Sequence, residues 1–447
     1  MRLRRASLAA VSGLATLVVS CVLDTSGLTG HATGAATDAA TDGGGADGPG
    51  GDASSVGPGG SGLDFTPGRK CTAAALATAT VLRAGEVLSS AVAALADGAT
   101  LAIDPGTYPG AVTISGKKNI TLCAAPGGRP IITGTTDACL IDIDHSSGVH
   151  VEGLELSGTN DQAHSHQCGI HAGAMTHHIA IWDMWIHDTP SAGVGAANGS
   201  GGHIDLRYSR VWNTSAYDPF HQSAVTFYEL DNYGGPNDAD GYSDYVVGNL
   251  IFANVEQISG ATNGNCIFID DNQITEGGRS GLPYTGRVLI VNNLCVNNGG
   301  RGVHFQTSRH GDIVNNTLFH DVRTDFGAPV GEIDAVAGED INILNNLSVA
   351  IGPGAVFDDS SLGATVALSH NVFSGPGSRN PPSGFVVVAD PMLVDPADPR
   401  TGDFRPRPGS AVAGAGAGAL NAAKAPAVDF SGKARSATAP SVGAFEP

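Results

Sequence analysis

Short runs of alternating apolar and polar residues recur along most of the chain, separated by Asn, Asp or Gly. Such runs begin near His150, Ile179, Ile204, Val246, Leu289, Asp312, Ile341 and Val366. A period of two marks a half-buried strand, and a polar turn after each one marks a sharp bend. Asn293, Asn316, Asn346 and Asn371 occupy equivalent points 23, 30 and 25 residues apart. The step from Asn249 to Asn293 is 44 residues, one coil plus an inserted loop. Self-similarity near 25 residues predicts a solenoid in which each coil rests on the next. Strands joined by Asn-Asn or Gly turns make that solenoid a parallel β-helix. Asparagine tolerates the left-handed conformation, and its amide can bond to the copy one coil away. The pattern predicts an all-β, single-stranded solenoid of roughly nine coils over residues 71–388.

The ends of such a stack expose sheet edges and need covers. Residues 83–96 place Val87, Leu88, Ala91, Val92 and Leu95 at helical spacing and predict an N-terminal helical cap. Residues 389–447 lack the coil pattern and are rich in Pro, Gly and Ala, which predicts an extended tail packed along the solenoid. The Gly and Ala run at 414–418 lies in no strand–helix context and is not read as a phosphate loop.

Residues 1–21 differ from everything after them. Arg2, Arg4 and Arg5 precede an apolar stretch from Leu8 to Val19 that is too short to span a bilayer. The stretch ends in Val18, Val19, Ser20 and Cys21, which resembles a bacterial lipobox. That resemblance implies lipidation of Cys21, with Val22 after it implying release to the outer membrane. Residues 22–70 hold 14 glycines and almost no large apolar side chain between Leu28 and Leu63. They are expected to form a disordered linker, since nothing there offsets the entropy of ordering.

The charge narrows the partners. The 447 residues carry 23 basic and 43 acidic side chains, for a net charge of −20, and only five of the basic residues are lysine. Nucleic acid is excluded as a partner, because phosphate binding needs a basic footprint. Cysteines 71, 123, 139, 168, 266 and 295 remain for an oxidising compartment. Cys123–Cys139 is the expected pair, with Cys266 and Cys295 read as separate core residues.

Aligning the second strand of each coil on its Gly or Ala start brings Ile170, Val194, Val225, Ile267, Val303 and Ile333 into one inward column. The next residues, His171, Gly195, Thr226, Phe268, His304 and Asp334, then point outward, and Tyr228, Asp270 and Gln306 form a second outward column. Glu229 and Asp271 fall side by side at the strand ends. The two largest loops, 230–243 and 272–286, leave from this edge and are expected to wall a groove. Glu229, Asp270 and Asp271 are candidate calcium ligands, because calcium takes several oxygens; Asp231, Asp238 and Asp240 are further candidates. The competing reading is a solvated acidic turn. His164, His166, Cys168 and His171 are metal-capable but lack a zinc spacing.

Several stretches carry a family resemblance. DGATLAIDPGTY at 97–108 resembles the opening coil of secreted right-handed parallel β-helix proteins, the pectate-lyase-like superfamily. GNCIFIDD at 264–271 and NNGGRGVHF at 297–305 are similar to its central motifs, and DPMLVDP at 390–396 and VGAFE at 442–446 to its C-terminal tail. The resemblance spans roughly residues 75–447. It implies a right-handed coil and a carbohydrate-active protein, although the superfamily includes lyases, hydrolases, epimerases and binding proteins. The lysine base of some such lyases is excluded, since no lysine lies between Lys118 and Lys424. Arg301 or His304 is then the expected base, with Asp334 orienting the imidazole, Tyr228 assisting, and Gln306 and Arg301 binding substrate. The alternatives are an exposed strand histidine and an arginine that braces its turn. YDPFH at 217–221 resembles the Asp-Pro-His signature of alginate epimerases, interrupted by Phe220. The expectation is a monomeric, exported, lipid-anchored surface protein acting on an acidic polysaccharide as a calcium-assisted lyase. A non-catalytic adhesin or scaffold and a glycoside hydrolase of the same fold are the alternatives.

Overall fold

The structure, a computed structural model, describes residues 69–197, 199–258, 260–273, 282–326, 330–352, 355–356, 365–375 and 383–447. The expected signal segment 1–21 with its lipidated Cys21, nearly all of the linker 22–70 and part of the 272–286 loop lie outside these residues.

Each coil contributes one strand to each of three parallel sheets. In chain order a coil runs from the first sheet (for example Ile179–Trp182) to the second (Trp185–His187) and the third (Val194–Ala196). Among the described residues the first and second sheets have eleven strands each and the third has eight. The protein is a parallel β-helix. It has more rungs than the nine expected, because Thr80–Leu82 already pairs with Leu101–Ile103 and Phe385–Val387 extends the second sheet. Neither end rung carries the asparagine that marks the central coils.

The corners explain why Asn-Asn recurs. At the corner between the first and second sheets, Asn292, Asn315 and Asn345 have φ of 55°, 52° and 57°. The next residue in each coil is buried and bonds along the stack. The Nδ2 of Asn249 donates to Asn293, that of Asn293 to Asn316, that of Asn316 to Asn346, and that of Asn346 to Asn371, at 2.9–3.0 Å. The two properties expected of one asparagine are therefore divided between neighbours: the first makes the left-handed bend and the second builds the ladder. The corner after the second sheet repeats the device with Asn254, Asn298 and Asp321. The corner after the third sheet does so with Glu229, Asp271 and Thr307 in the left-handed region, followed by Leu230, Asn272 and Ser308 in hydrogen-bonded succession.

The helical cap is shorter than expected, Leu88–Ala94, with Leu88 and Val92 buried and Val87 exposed. Lys117 Nζ donates to the carbonyls of Ala93 and Leu95 at 2.7 Å each, where a cation favours a helix C-terminus. The tail covers the outer face of the second sheet, as Phe404, Val412, Phe430 and Phe445 pack on Phe252, Val296 and Phe319. The corner asparagines hold it: Asn315 donates to the Ser441 and Gly443 carbonyls, and Asn345 to that of Ala417.

The cysteine pairing corrects the expectation. Cys123 bonds to Cys71 and Cys139 to Cys168, so Cys123 and Cys139 are not partners. Cys266 and Cys295 form a third disulfide with Cα atoms 5.9 Å apart. Cys295 stands on the second sheet and Cys266 immediately before a strand of the third, yet both are buried in the same narrow interior, and there they meet.

Candidate functional site

The third sheet has the expected register. Phe268 lies between Thr226 and His304, Asp334 follows His304, and Tyr228, Asp270 and Gln306 form the second column. Inward Val225, Ile267, Val303 and Ile333 are fully buried, which fixes the alternation.

The upper part of the first column is covered. Phe268, His304 and Asp334 are only 4%, 2% and 4% exposed. The His304 ring stacks on Phe268 with centroids 4.8 Å apart, and neither of its nitrogens has a hydrogen-bond partner. Burial, and then the Arg301 charge, push its pKa well below that of an ordinary histidine. Asp334 does not orient it. Arg301 Nε donates to Asp334 Oδ2 at 3.1 Å, because a permanent guanidinium outcompetes a neutral imidazole for a carboxylate. The backbone nitrogen of Arg301 also donates to Asn265 Oδ1 at 2.7 Å, so this arginine braces its turn.

The second column opens onto a groove of about 460 Å³. Thr226, Tyr228, Phe268 and Asp270 line it from the sheet, and Phe220, His221 and Gln222 from the preceding loop. Tyr228 donates to Glu229 Oε1 at 3.0 Å, and burial together with the surrounding carboxylates raises its pKa, so the phenol keeps its proton. Gln306 lies one rung beyond Asp270, half-buried, and is not part of the lining.

His221 is the residue that sequence reasoning passed over. Its Nδ1 is bonded to the Glu256 carboxylate, which is buried and held by the backbone nitrogens of Thr262 and Asn263 at 2.8 Å each. Asp218 folds the loop that presents it, accepting from Ser191 Oγ and Phe220 N at 2.7 Å. The signal lay in the 217–221 segment, but its partner is 35 residues away on another loop. Phe220 stands at the lip, 68% exposed.

The three expected calcium ligands are not gathered around one point among the described residues. Glu229 and Asp271 are buried corner residues with φ of 46° and 42°, and Glu229 already accepts from Tyr228. Only Asp270 reaches the groove. Among the described residues, this trio is not one of the His, Cys, Asp and Glu groups whose ligand atoms converge. Asp240 accepts from the Tyr245 hydroxyl at 2.7 Å, with Asp238 Oδ2 3.2 Å from the same hydroxyl. The residues at 164–171 are also dispersed: His164 pairs with Asp161, His166 with Asp137 and His171 with Asp142, while Cys168 is in a disulfide.

No protein-family model matches the chain, and no curated protein matches it. Solved structures resemble it in fold. Pectate lyase Pel9A aligns with 17% identity over 83% of this chain and 98% of its own, with a TM-score of 0.43. A rhamnogalacturonan lyase aligns with 16% identity over 71% and 91%, with a TM-score of 0.39. The A-module of the Azotobacter vinelandii mannuronan C-5 epimerase AlgE6 aligns with 14% identity over 68% and 93%, with a TM-score of 0.34.

Proposed function

We propose that the protein acts on a uronate-containing polysaccharide in this groove by removing the proton next to the sugar carboxylate. The observation that carries the reading is His221, backed by a buried carboxylate and sharing one groove with a protonated Tyr228. A histidine oriented through one nitrogen offers the other as a general base. In the reaction the C5 proton passes to His221 Nε2. The electron pair forms the C4–C5 double bond as the C4–O bond breaks, and the leaving oxygen takes a proton from Tyr228. Reprotonation of the same carbanion from the opposite face gives epimerisation instead. Phe220 at the lip offers an apolar platform for a sugar ring. No step is assigned to calcium.

We further infer that the chain is exported and tethered through a lipidated Cys21. Three disulfides support an oxidising compartment.

The test is a panel of polyuronides, read by absorbance of unsaturated product and by solvent deuterium uptake at C5. Wild type is expected to give one of these signals with at least one substrate, and His221→Ala to abolish it. Saturable glycan binding without product or exchange would make the groove a binding surface and end the enzymatic reading.

A further inference from the structure

A second site lies away from the groove, at the turns that enter the first sheet. His178 and His203 each precede a strand of that sheet, Ile179–Trp182 and Ile204–Arg207, whose first residues pair. Both are in the left-handed region, with φ of 56° and 54°, so their side chains emerge in register. Their rings stack 4.1 Å apart with 9° between planes. His203 is 4% exposed, yet neither of its ring nitrogens has a hydrogen-bond partner. An unmet buried polar group is costly, so packing alone is a poor reason for this imidazole.

The loop 230–243 folds back over His203. A Cβ on Gly234 would stand 2.3 Å from His203 Cδ2, so the loop backbone lies directly on the ring. Asp238 arrives with its Oδ1 3.5 Å from His203 Nδ1. One ligand atom from each of His178, His203 and Asp238 lies within 4.8 Å of the others. The three border a cavity of about 230 Å³ together with Asp205, Arg207 and Tyr245.

We propose that His178, His203 and Asp238 bind a divalent transition metal, zinc foremost. Two imidazoles and one carboxylate suit a borderline cation, whereas calcium requires six or more oxygens. The stacked rings do not aim their lone pairs at one point. Bonds of about 2.0–2.1 Å need converging lone pairs, so one ring turns about its Cβ–Cγ bond as the ion enters. His177 Nδ1 lies 2.7 Å from His178 Nδ1, and when His178 is the donor of this contact its Nε2 is left for the metal. A fourth position faces the cavity and takes water. Binding ties loop 230–243, which starts beside Tyr228 and Glu229, to the first sheet. This inference stands independently of the reaction proposed for the groove.

The test uses the full chain stripped with chelator and titrated with zinc, with cobalt as the spectroscopic probe. One ion per chain is expected, with visible cobalt bands of a low-coordinate nitrogen–oxygen site, and millimolar calcium should not displace it. His178→Ala and Asp238→Asn should each weaken zinc at least about tenfold. Asp238 is exposed and outside any strand, so its variant should keep the wild-type circular dichroism and remain a fair test if His203→Ala fails to fold. Absence of binding, displacement by calcium, or unchanged affinity in both variants would overturn the proposal.

Discussion

Arg301 Nε donates to Asp334 Oδ2 at 3.1 Å, and that ion pair takes away the carboxylate that would have made the neighbouring His304 a base. His304 is left as a buried, neutral ring stacked on Phe268. Its folded pKa is depressed, so below the ordinary histidine range the unfolded chain binds a proton that the native one does not. Stability is then lost as pH falls through that range, with a slope of up to about 1.4 kcal/mol per pH unit. His304→Phe should flatten this acid limb in urea unfolding and leave the pH profile of any turnover unchanged. A variant with an intact fold and altered turnover pH dependence would return His304 to the chemistry.

Asp321 and Glu332 titrate in the opposite sense. Both are fully buried, and burial raises both pKa values, that of Asp321 to about 7, while the Asp321 charge raises that of Glu332 further. Protons held by the fold stabilise it below the normal carboxylate range, and that stability is lost as pH rises through about 7. Asp321 Oδ1 accepts from Asn298 N and Nδ2 at 2.9 and 2.8 Å, while Oδ2 has no partner. Asp321→Asn keeps the accepting oxygen and removes a charge, so it should unfold later than wild type at pH about 8, by ~1–3 kcal/mol, with the difference shrinking as pH falls toward the ordinary carboxylate range. Equal destabilisation at both pH values would refute the assignment.

Asn316 should be costlier to replace than the corner residue before it. Its amide donates to the Ile290 carbonyl and Asn346 and accepts from Asn293, all in the interior. Asn316→Val should cost about 3–5 kcal/mol in thermal unfolding. Asn315→Gly keeps the left-handed bend and loses the bonds to the tail and the one accepted from Asn345, with no bond into the coil interior, so its cost should be smaller. The reverse order would show that backbone conformation outweighs the ladder.

Each disulfide between Cys139 and Cys168 and between Cys266 and Cys295 closes a 29-residue separation. In the chain-entropy account such a link contributes about 3–4 kcal/mol. Cys266→Ser with Cys295→Ser should lower the unfolding midpoint accordingly. Non-reducing peptide mapping should recover Cys71–Cys123 and no Cys123–Cys139 peptide.

The net charge of −20 opposes a polyanion. Binding of a polyuronide should therefore tighten as salt rises from about 10 to 150 mM, where the screening length shrinks from ~30 to ~8 Å. Weakening over that range would point to a cationic subsite.

The strand register was legible in the sequence because period-two alternation leaves no freedom once one face is buried: Val225, Ile267, Val303 and Ile333 stack, and their neighbours follow. The spacing of Asn293, Asn316, Asn346 and Asn371 was legible for the same reason, since a ladder repeats wherever the coil does. What only the tertiary structure decided is what the loops do to those outward columns. They bury His304 and Asp334, leave Tyr228 and Asp270 at a groove, and bring Glu256 to His221 and Asp238 to His203 across 35 residues in each case. Cysteine partners were hidden likewise, because Cys266, at a corner, and Cys295, on the second sheet, meet through the coil interior. A strand's environment repeats with its own sequence, but a loop's contacts depend on where its insertion happens to fall against another coil, and no local pattern encodes that.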